Sequence, residues 1–260
     1  MLIEFIGAPG SGKTTLYRIL ADRLVSQGVS VITVDDADCQ YARRTFTGRL
    51  VARLFPQPLR RSLISRLCNR ASSRALNGFQ RRYPALMQYV RSSQQNRPLE
   101  AEVERRNILP WFENMIRYYS FLSSLAQAND VLLFDEAFVH RVVQFHVSEV
   151  EEPDPQQVSA YLDLIPRPDL IIFTTASPDA SLQRVLDRGV WSHSQHKTQE
   201  QLDRFIANAH QVVHFAVDTL REKGWAVIQV DNSGDDPEGV AVELYQKLAE
   251  HLHTISLSIH

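Results

Sequence analysis

The sequence predicts a doubly wound α/β fold: a five-stranded parallel sheet in the order 2-3-1-4-5, with crossover helices and a large helical insertion. Three observations predict it. Residues 7–14 read Gly-Ala-Pro-Gly-Ser-Gly-Lys-Thr, a glycine loop set between an apolar run and a helical pattern. Five short apolar runs recur along the 260 residues, near-continuous rather than alternating, as expected of parallel strands covered on both faces. Helical patterns separate these runs, which is the alternation that builds a parallel sheet.

The first run, Leu2-Ile3-Glu4-Phe5-Ile6, ends at Gly7, and a helix opens at Thr14 with Leu16, Leu20 and Leu24 on one face. The segment between them has the form G-x-x-x-x-G-K-[ST]. In this P-loop pattern, backbone N–H groups wrap a polyphosphate, the lysine neutralises β and γ oxygens and the hydroxyl holds Mg²⁺. Chance would produce it on the order of once in a thousand chains of ordinary composition. The motif therefore assigns a nucleoside triphosphate to a cradle of Gly7, Ala8, Pro9, Gly10, Ser11, Gly12, Lys13, Thr14 and Thr15. Lys13 also acts on the reacting phosphate, and Thr14 is a metal ligand. The fold class is accordingly that of the P-loop NTPases.

Gly28 ends the first helix, and Val29 to Val34 forms the second strand, which stops at Asp35-Asp36. The third strand, Val131 to Phe134, runs into Asp135-Glu136. The fourth is Leu170 to Phe173 and the fifth Ala226 to Val230, ending at Asp231-Asn232. Acids at the carboxyl ends of the strands stand where ligands sit in open α/β sheets. Asp135 reads as the second metal ligand, directly or through water. Glu136 is a metal-shell or acceptor-orienting residue, or else a charge favoured by a helix N-terminus.

Between strands two and three lies the insertion, about residues 39 to 130. Leu59, Leu63, Leu67, Ala71 and Ala75 recur every four residues, with Arg66, Arg70 and Arg74 on another face. Asn77-Gly78 is expected to end that helix, and Pro84 to start the next. A third helical stretch, from about Leu99, is expected to break or kink at Pro110. Trp111, Met115, Tyr118, Leu122 and Leu125 then form a core stripe.

Net charge is only −2, but it is unevenly placed. From Cys39 to Leu99 there is no Asp or Glu, while the same stretch holds 13 Arg. The rest of the chain carries 30 acids against 15 Arg and Lys. The arginine-rich stretch reads either as a site for an anionic acceptor or as an arm that docks on the acidic remainder or on a partner subunit. Arginine also favours nucleic-acid phosphates, yet no RNA- or DNA-binding motif accompanies it, so nucleic acid is the weaker partner. The hydrophobic share of 44% and charged share of 22% are those of an ordinary soluble protein. Cys39 and Cys68 read as reduced thiols of a cytoplasmic protein. No apolar run is long enough to span a bilayer, and no signal peptide fits ahead of the P-loop. A homodimer through an exposed insertion helix stays open.

After the fourth strand come Thr174-Thr175-Ala176-Ser177-Pro178-Asp179 and a helix ending Arg184-x-x-x-Arg188-Gly189. A polar segment containing His193 and His196 follows, then a long helix from about Gln199 to Lys223. Here the sequence resembles the nucleoside and nucleotide kinases, thymidylate-kinase-like proteins most of all, over roughly residues 1–36 and 130–250. The resemblance implies ATP and Mg²⁺ as cofactors and phosphoryl transfer to a small-molecule acceptor. It implies a lid over residues 188–198 opened by Arg184 and Arg188, and an adenine contact from the loop at Asn232. It implies an acceptor-contacting base at the end of strand two, Asp35 ahead of Asp36. Such kinases carry an arginine right after the acid of strand three. Here Asp135-Glu136-Ala137 lacks it, and Arg141 is the substitute candidate. GTPases are excluded because none of the four lysines, at 13, 197, 223 and 247, lies in a base-reading Asn/Thr-Lys-x-Asp setting. An ABC-type ATPase would also show Asp-Glu after an apolar strand, but its signature motif is missing. The remaining alternative is a P-loop ATPase or nucleotide-controlled binding protein whose arginine arm grips a polyanion or a partner.

Overall fold

The computed structural model describes residues 1–95, 102–189 and 197–258, with side chains for 1–95, 106–189 and 197–251. Five strands stand in the order β2-β3-β1-β4-β5: β1 (Leu2–Ile6), β2 (Ser30–Ile32), β3 (Asp130–Phe134), β4 (Leu170–Thr175) and β5 (Val227–Asp231). The chain divides into two compact units. One comprises Met1 with residues 29–134, the other 2–28 with 135–260.

In the first unit β2 and β3 pair in parallel, Ser30 opposite Asp130 and Ile32 opposite Leu132. All five residues of β3 are buried. The second strand is shorter than the apolar run suggests. It stops at Ile32, and Val34–Asp36 turns into a short 3-10 helix in which the Thr33 hydroxyl donates to Asp36 Oδ2 at 2.8 Å. The Asp36 N–H donates to Thr33 O at 3.2 Å, a turn bond in place of the ladder.

Five helices follow: α2 (Ala37–Arg44), α3 (Phe46–Leu54), α4 (Gln57–Arg82), α5 (Pro84–Gln95) and α6 (Glu102–Leu125). Thr45 caps α3, its hydroxyl accepting from Gly48 N at 3.0 Å. Helix α4 runs through Asn77-Gly78, contrary to the expected stop. Phe79, just beyond, is buried and stacks on Tyr83 at 4.5 Å, and Pro84 supplies the boundary instead. Its buried row is Ile64, Cys68, Ser72 and Phe79, so the apolar residues at 63, 67, 71 and 75 flank the core and Leu59 is exposed. Helix α6 likewise continues through Pro110. Its core row is Ile108, Phe112, Ile116, Tyr119 and Leu122, and Trp111 is 39% exposed.

A buried electrostatic knot ties the ends of this unit. The Arg44 guanidinium pairs with Asp130, which also accepts from the Ser30 hydroxyl at 2.6 Å and from Gln127 N at 2.6 Å. The bond to Arg44 leads, with Ser30 and Gln127 behind it, in holding the Asp130 carboxyl down to about 2. One of the arginines of the acid-free stretch is therefore structural.

In the second unit β1 pairs with β4 and β4 with β5, both parallel. Helix α1 (Lys13–Ser26) follows β1. Helices α7 (Arg141–His146) and α8 (Pro155–Leu162) precede β4. Helices α9 (Pro178–Arg188) and α10 (Gln199–Glu222) separate β4 from β5, and α11 (Pro237–Ser258) closes the chain. Ser177 and Asp154 cap α9 and α8, each followed by proline at the first helical position. Thr198 and Gln201 form a capping box at the start of α10, whose buried row runs Leu202, Ile206, Ala209, Val213, Val217 and Leu220.

Candidate nucleotide-binding site

The glycine loop connects β1 to α1, and neighbouring backbone shapes it. Gly10 has φ +81°, and a Cβ there would stand 2.1 Å from the Ser181 carbonyl oxygen on α9. Gly12 is the N-cap of α1 at φ +85°, where a Cβ would meet Asn232 Nδ2 at 2.0 Å. Both positions need a residue without a side chain. Ser181 is itself fully buried, its hydroxyl 3.0 Å from His210 Nε2 on α10. The buried Asn232, just after β5, donates from Nδ2 to Ser11 O at 2.8 Å. It thereby clasps the loop from behind, and its own backbone N–H donates to Thr175 O. Ala8 and Pro9 are buried, and Thr15 on the first turn of α1 is exposed.

The end of β3 supplies two carboxylates. Thr14 donates from its hydroxyl to Asp135 Oδ2 at 2.7 Å, and Asp135 Oδ1 is buried without a hydrogen-bond partner. Burial raises the Asp135 pKa, against the pull of Lys13 and the Thr14 bond. Glu136 Oε1 lies 3.3 Å from Lys13 Nζ and 3.3 Å from His140 Nε2. Lys13 and His140 are buried, whereas the Glu136 side chain is 41% exposed. Burial works to raise the Glu136 pKa, but positive charge at His140 and Lys13, with Arg141 behind them, holds it well below the carboxylate range. Burial and the Lys13 charge push His140 down to about 4, so its imidazole is neutral at pH 7. At that pH Lys13 and Arg141 are the positive charges that remain beside Glu136.

Two participants were not singled out from the sequence. His140 stands four residues beyond Glu136, in the turn segment ahead of α7, and no sequence pattern marks it. Glu4 is a carboxylate in the middle of an apolar strand. It is fully buried, accepts from Val139 N at 2.9 Å, and leaves Oε1 without a partner. Burial dominates there, over the Val139 bond and the Arg141 charge, and raises Glu4 to about 8.

The remaining sequence candidates divide. Arg141 begins α7, bonded through Nη1 to Gln144 at 3.3 Å, with Nε buried and unpartnered. Arg184 donates to Asn232 O at 2.7 Å and to Gly234 O at 2.6 Å, so its guanidinium is anchored to the loop after β5, beside Gly12. Arg188 is exposed at the last turn of α9. Most of the 188–198 stretch, including His193 and His196, lies outside the described residues. Lys197, near the end of that stretch, pairs with Glu149. Asp35 belongs to the first unit, exposed on its 3-10 turn. Among the described residues no group of three or more His, Cys, Asp and Glu is arranged to hold a metal ion. None of the described helices is long and apolar enough to cross a membrane.

No protein-family model matches the chain, and no curated protein matches it. Among solved structures it is similar to deoxyadenosine kinase from M. mycoides with products dCMP and a flexible dCDP bound. That similarity has 13% identity, a TM-score of 0.49, and coverage of 96% of this chain and 100% of that one. The same enzyme with bound dCTP gives 12% identity, a TM-score of 0.44, and coverage of 96% and 100%. The likeness is slight. The strand order and the glycine loop between β1 and α1 stand on their own, and they make this an α/β P-loop protein.

Proposed function

We propose that the chain is an ATP- and Mg²⁺-dependent phosphotransferase, nearest in kind to the thymidylate-kinase-like nucleoside and nucleotide kinases. Its acceptor would be a small molecule, nucleoside- or nucleotide-like or another anionic metabolite. The observation that carries the reading is the ionised Glu136 carboxylate 3.3 Å from the P-loop lysine, next to an acid that bonds Thr14. Phosphoryl transfer asks for alignment and neutralisation of spreading negative charge rather than covalent help.

The residues fit both groups. Glycines where a Cβ would strike neighbouring atoms make a cradle lined by backbone, as a polyphosphate requires. The Thr14 hydroxyl and the orphaned Asp135 Oδ1 make an oxygen donor set of the kind Mg²⁺ prefers when it keeps several waters. The ion would neutralise charge on the phosphate oxygens. Lys13 would hold the β and γ oxygens. Glu136 would accept the proton of the acceptor hydroxyl as that oxygen bonds to the γ-phosphorus and the bond to the β–γ bridging oxygen breaks. Asp35 is the second candidate for that proton. Arg184 would support the nucleotide side of the loop, with Asn232 bracing it. Arg188 and Arg141 would add positive charge over the transferring group.

A second reading has water as the acceptor, in a P-loop ATPase or nucleotide-controlled binding protein with an arginine arm for a polyanion or a partner. The adjacent acids after β3 and the exposed Arg66, Arg70 and Arg74 favour it. An acceptor screen separates the two. ADP release is measured with nucleosides, nucleoside monophosphates, sugars and antibiotics, with Lys13→Ala as blank. Turnover that rises at least tenfold with one acceptor class supports the kinase. Hydrolysis that ignores every acceptor but responds to a polyanion rejects it.

A further inference from the structure

Helix α3 is packed with its small residues inward and its large apolar residues outward. Gly48, Val51 and Ala52 form the inner face. Gly48 is buried where a Cβ would lie 2.3 Å from the Tyr41 carbonyl oxygen, so α3 sits tightly against α2 by that side. The opposite face holds Phe46 at 74% exposure, Leu50 at 45% and Leu54 at 64%. It continues past the helix into Phe55 and Leu59, also exposed. At 100° per residue, 46, 50 and 54 make one stripe, and Arg49 and Arg53 fall beside it on the same outer half. Both arginines are exposed, as is Arg61, and none of the three forms an ion pair among the described residues. Scattered single exposed apolar residues need no explanation, but five within fourteen positions make a patch that marks an interaction surface.

We propose that this face is an interfacial anchor that lays the first unit on an anionic lipid surface. Three features select that occupant. The patch is one exposed face of a helix with apolar side chains and arginines interleaved. That pattern suits the headgroup–acyl boundary, where guanidinium groups reach phosphates while phenyl and isobutyl groups enter the acyl edge. The stretch from Cys39 to Leu99 has no acid at all, so the helix itself and its flanks bring only positive charge to the face. A second copy docked symmetrically here would set Arg49 and Arg53 of each chain against those of the other, with no carboxylate from the stretch to pair them. The chain would lie on the membrane rather than span it. The inference is independent of the phosphotransferase reading.

The test is co-sedimentation of the full chain with vesicles of pure phosphatidylcholine and of phosphatidylcholine with about one third phosphatidylglycerol, without nucleotide. The expected result is at least tenfold stronger partition onto the anionic vesicles. Partition should fall at least tenfold for Leu50→Glu with Leu54→Glu, and fall toward the neutral-lipid level for Arg49→Gln with Arg53→Gln or at high salt. These residues are exposed, so circular dichroism should show the variants folded. Three outcomes overturn the proposal: no partition of the folded wild type, partition that the glutamate pair leaves unchanged, or a wild-type dimer that the same pair dissociates in light scattering. The last would assign the face to a second copy.

Discussion

Replacing Glu4 by glutamine tests the central strand directly. Glu4 carries a pKa of about 8 against an ordinary 4.5. The folded chain therefore keeps this proton where the unfolded chain has lost it. Between those two values stability falls as pH rises, because only the native state still binds the proton. Each unit of difference corresponds to about 1.4 kcal/mol, so the deficit is about 3 kcal/mol at pH 7, about 4 kcal/mol at pH 8, and levels off near roughly 5 kcal/mol above about pH 9. The Val139 N–H and Arg141 keep the shift from being larger still. Glutamine keeps the carbonyl that accepts from Val139 and never ionises. Urea-unfolding midpoints of wild type and Glu4→Gln should coincide near pH 5 and separate steadily above it. With a urea dependence of about 3 kcal/mol per molar, the gap should approach 1 M at pH 7 in favour of the variant. Midpoints that run parallel from pH 5 to pH 9 would refute the idea that Glu4 holds a proton.

Asp135→Asn should weaken nucleotide binding at least tenfold in calorimetry with Mg²⁺ while leaving metal-free binding almost unchanged, because one oxygen of the Thr14–Asp135 pair is replaced by a donor. Gly12→Ala imposes a left-handed backbone on a residue with a Cβ, about 1–2 kcal/mol, and displaces the Asn232–Ser11 bond, about 1 kcal/mol more. The cradle should lose roughly 100-fold in nucleotide affinity, with far-UV circular dichroism unaltered; full affinity would show that the loop tolerates the clash. Arg44→Ala should cost about 2 kcal/mol at neutral pH by stripping Asp130 of its charged partner. Because the folded Asp130 titrates near 2 rather than 3.8, the wild-type advantage should be present above pH 4 and vanish as acid titration passes through about 2. An advantage that persists at pH 2 would contradict this.

The strands and the P-loop were legible because their signals are local. β3 and β4 are unbroken apolar runs ending at acids or hydroxyls, and their buried positions match those runs nearly residue for residue. Boundaries failed where a local rule met a tertiary one. Asn77-Gly78 is a sound helix stop in isolation, but burial of Phe79 and its stack on Tyr83 extend α4 by another turn. Periodicity also misjudged which face of α4 is inward, because arginine stems and alanines leave the apolar arc broad enough to rotate. In the site, Thr14 and Asp135 are both legible as oxygen donors at the loop and at the end of β3, and the structure joins them by a hydrogen bond. The Glu136–His140–Lys13 cluster is not legible, since nothing in the spacing tells an imidazole in the core from one on a charge. The resemblance gives Arg184 the role of opening a lid, and the structure holds its guanidinium on two backbone carbonyls of the loop after β5. That contact joins residues 48 and 50 positions apart and has no sequence signature.

The Lys13–Glu136 pair gives the proposed chemistry an order. In the free chain the lysine is a positive charge beside both groups: it helps hold the Glu136 carboxyl down and, after burial, adds to what lowers His140. A polyphosphate arriving in the cradle would neutralise Lys13 and withdraw its field from both neighbours. Both pKa values would then rise, because an anion nearby favours the protonated form of each. Glu136 would become a stronger base at the moment a phosphoryl group is in place, while its 41% exposure leaves room for an acceptor. His140, whose Nδ1 has no partner among the described residues, would gain affinity for a proton beside it. A carboxylate fixed by a remote arginine would carry no such coupling. On the proposed reading the nucleotide itself therefore sets the basicity that its transfer needs.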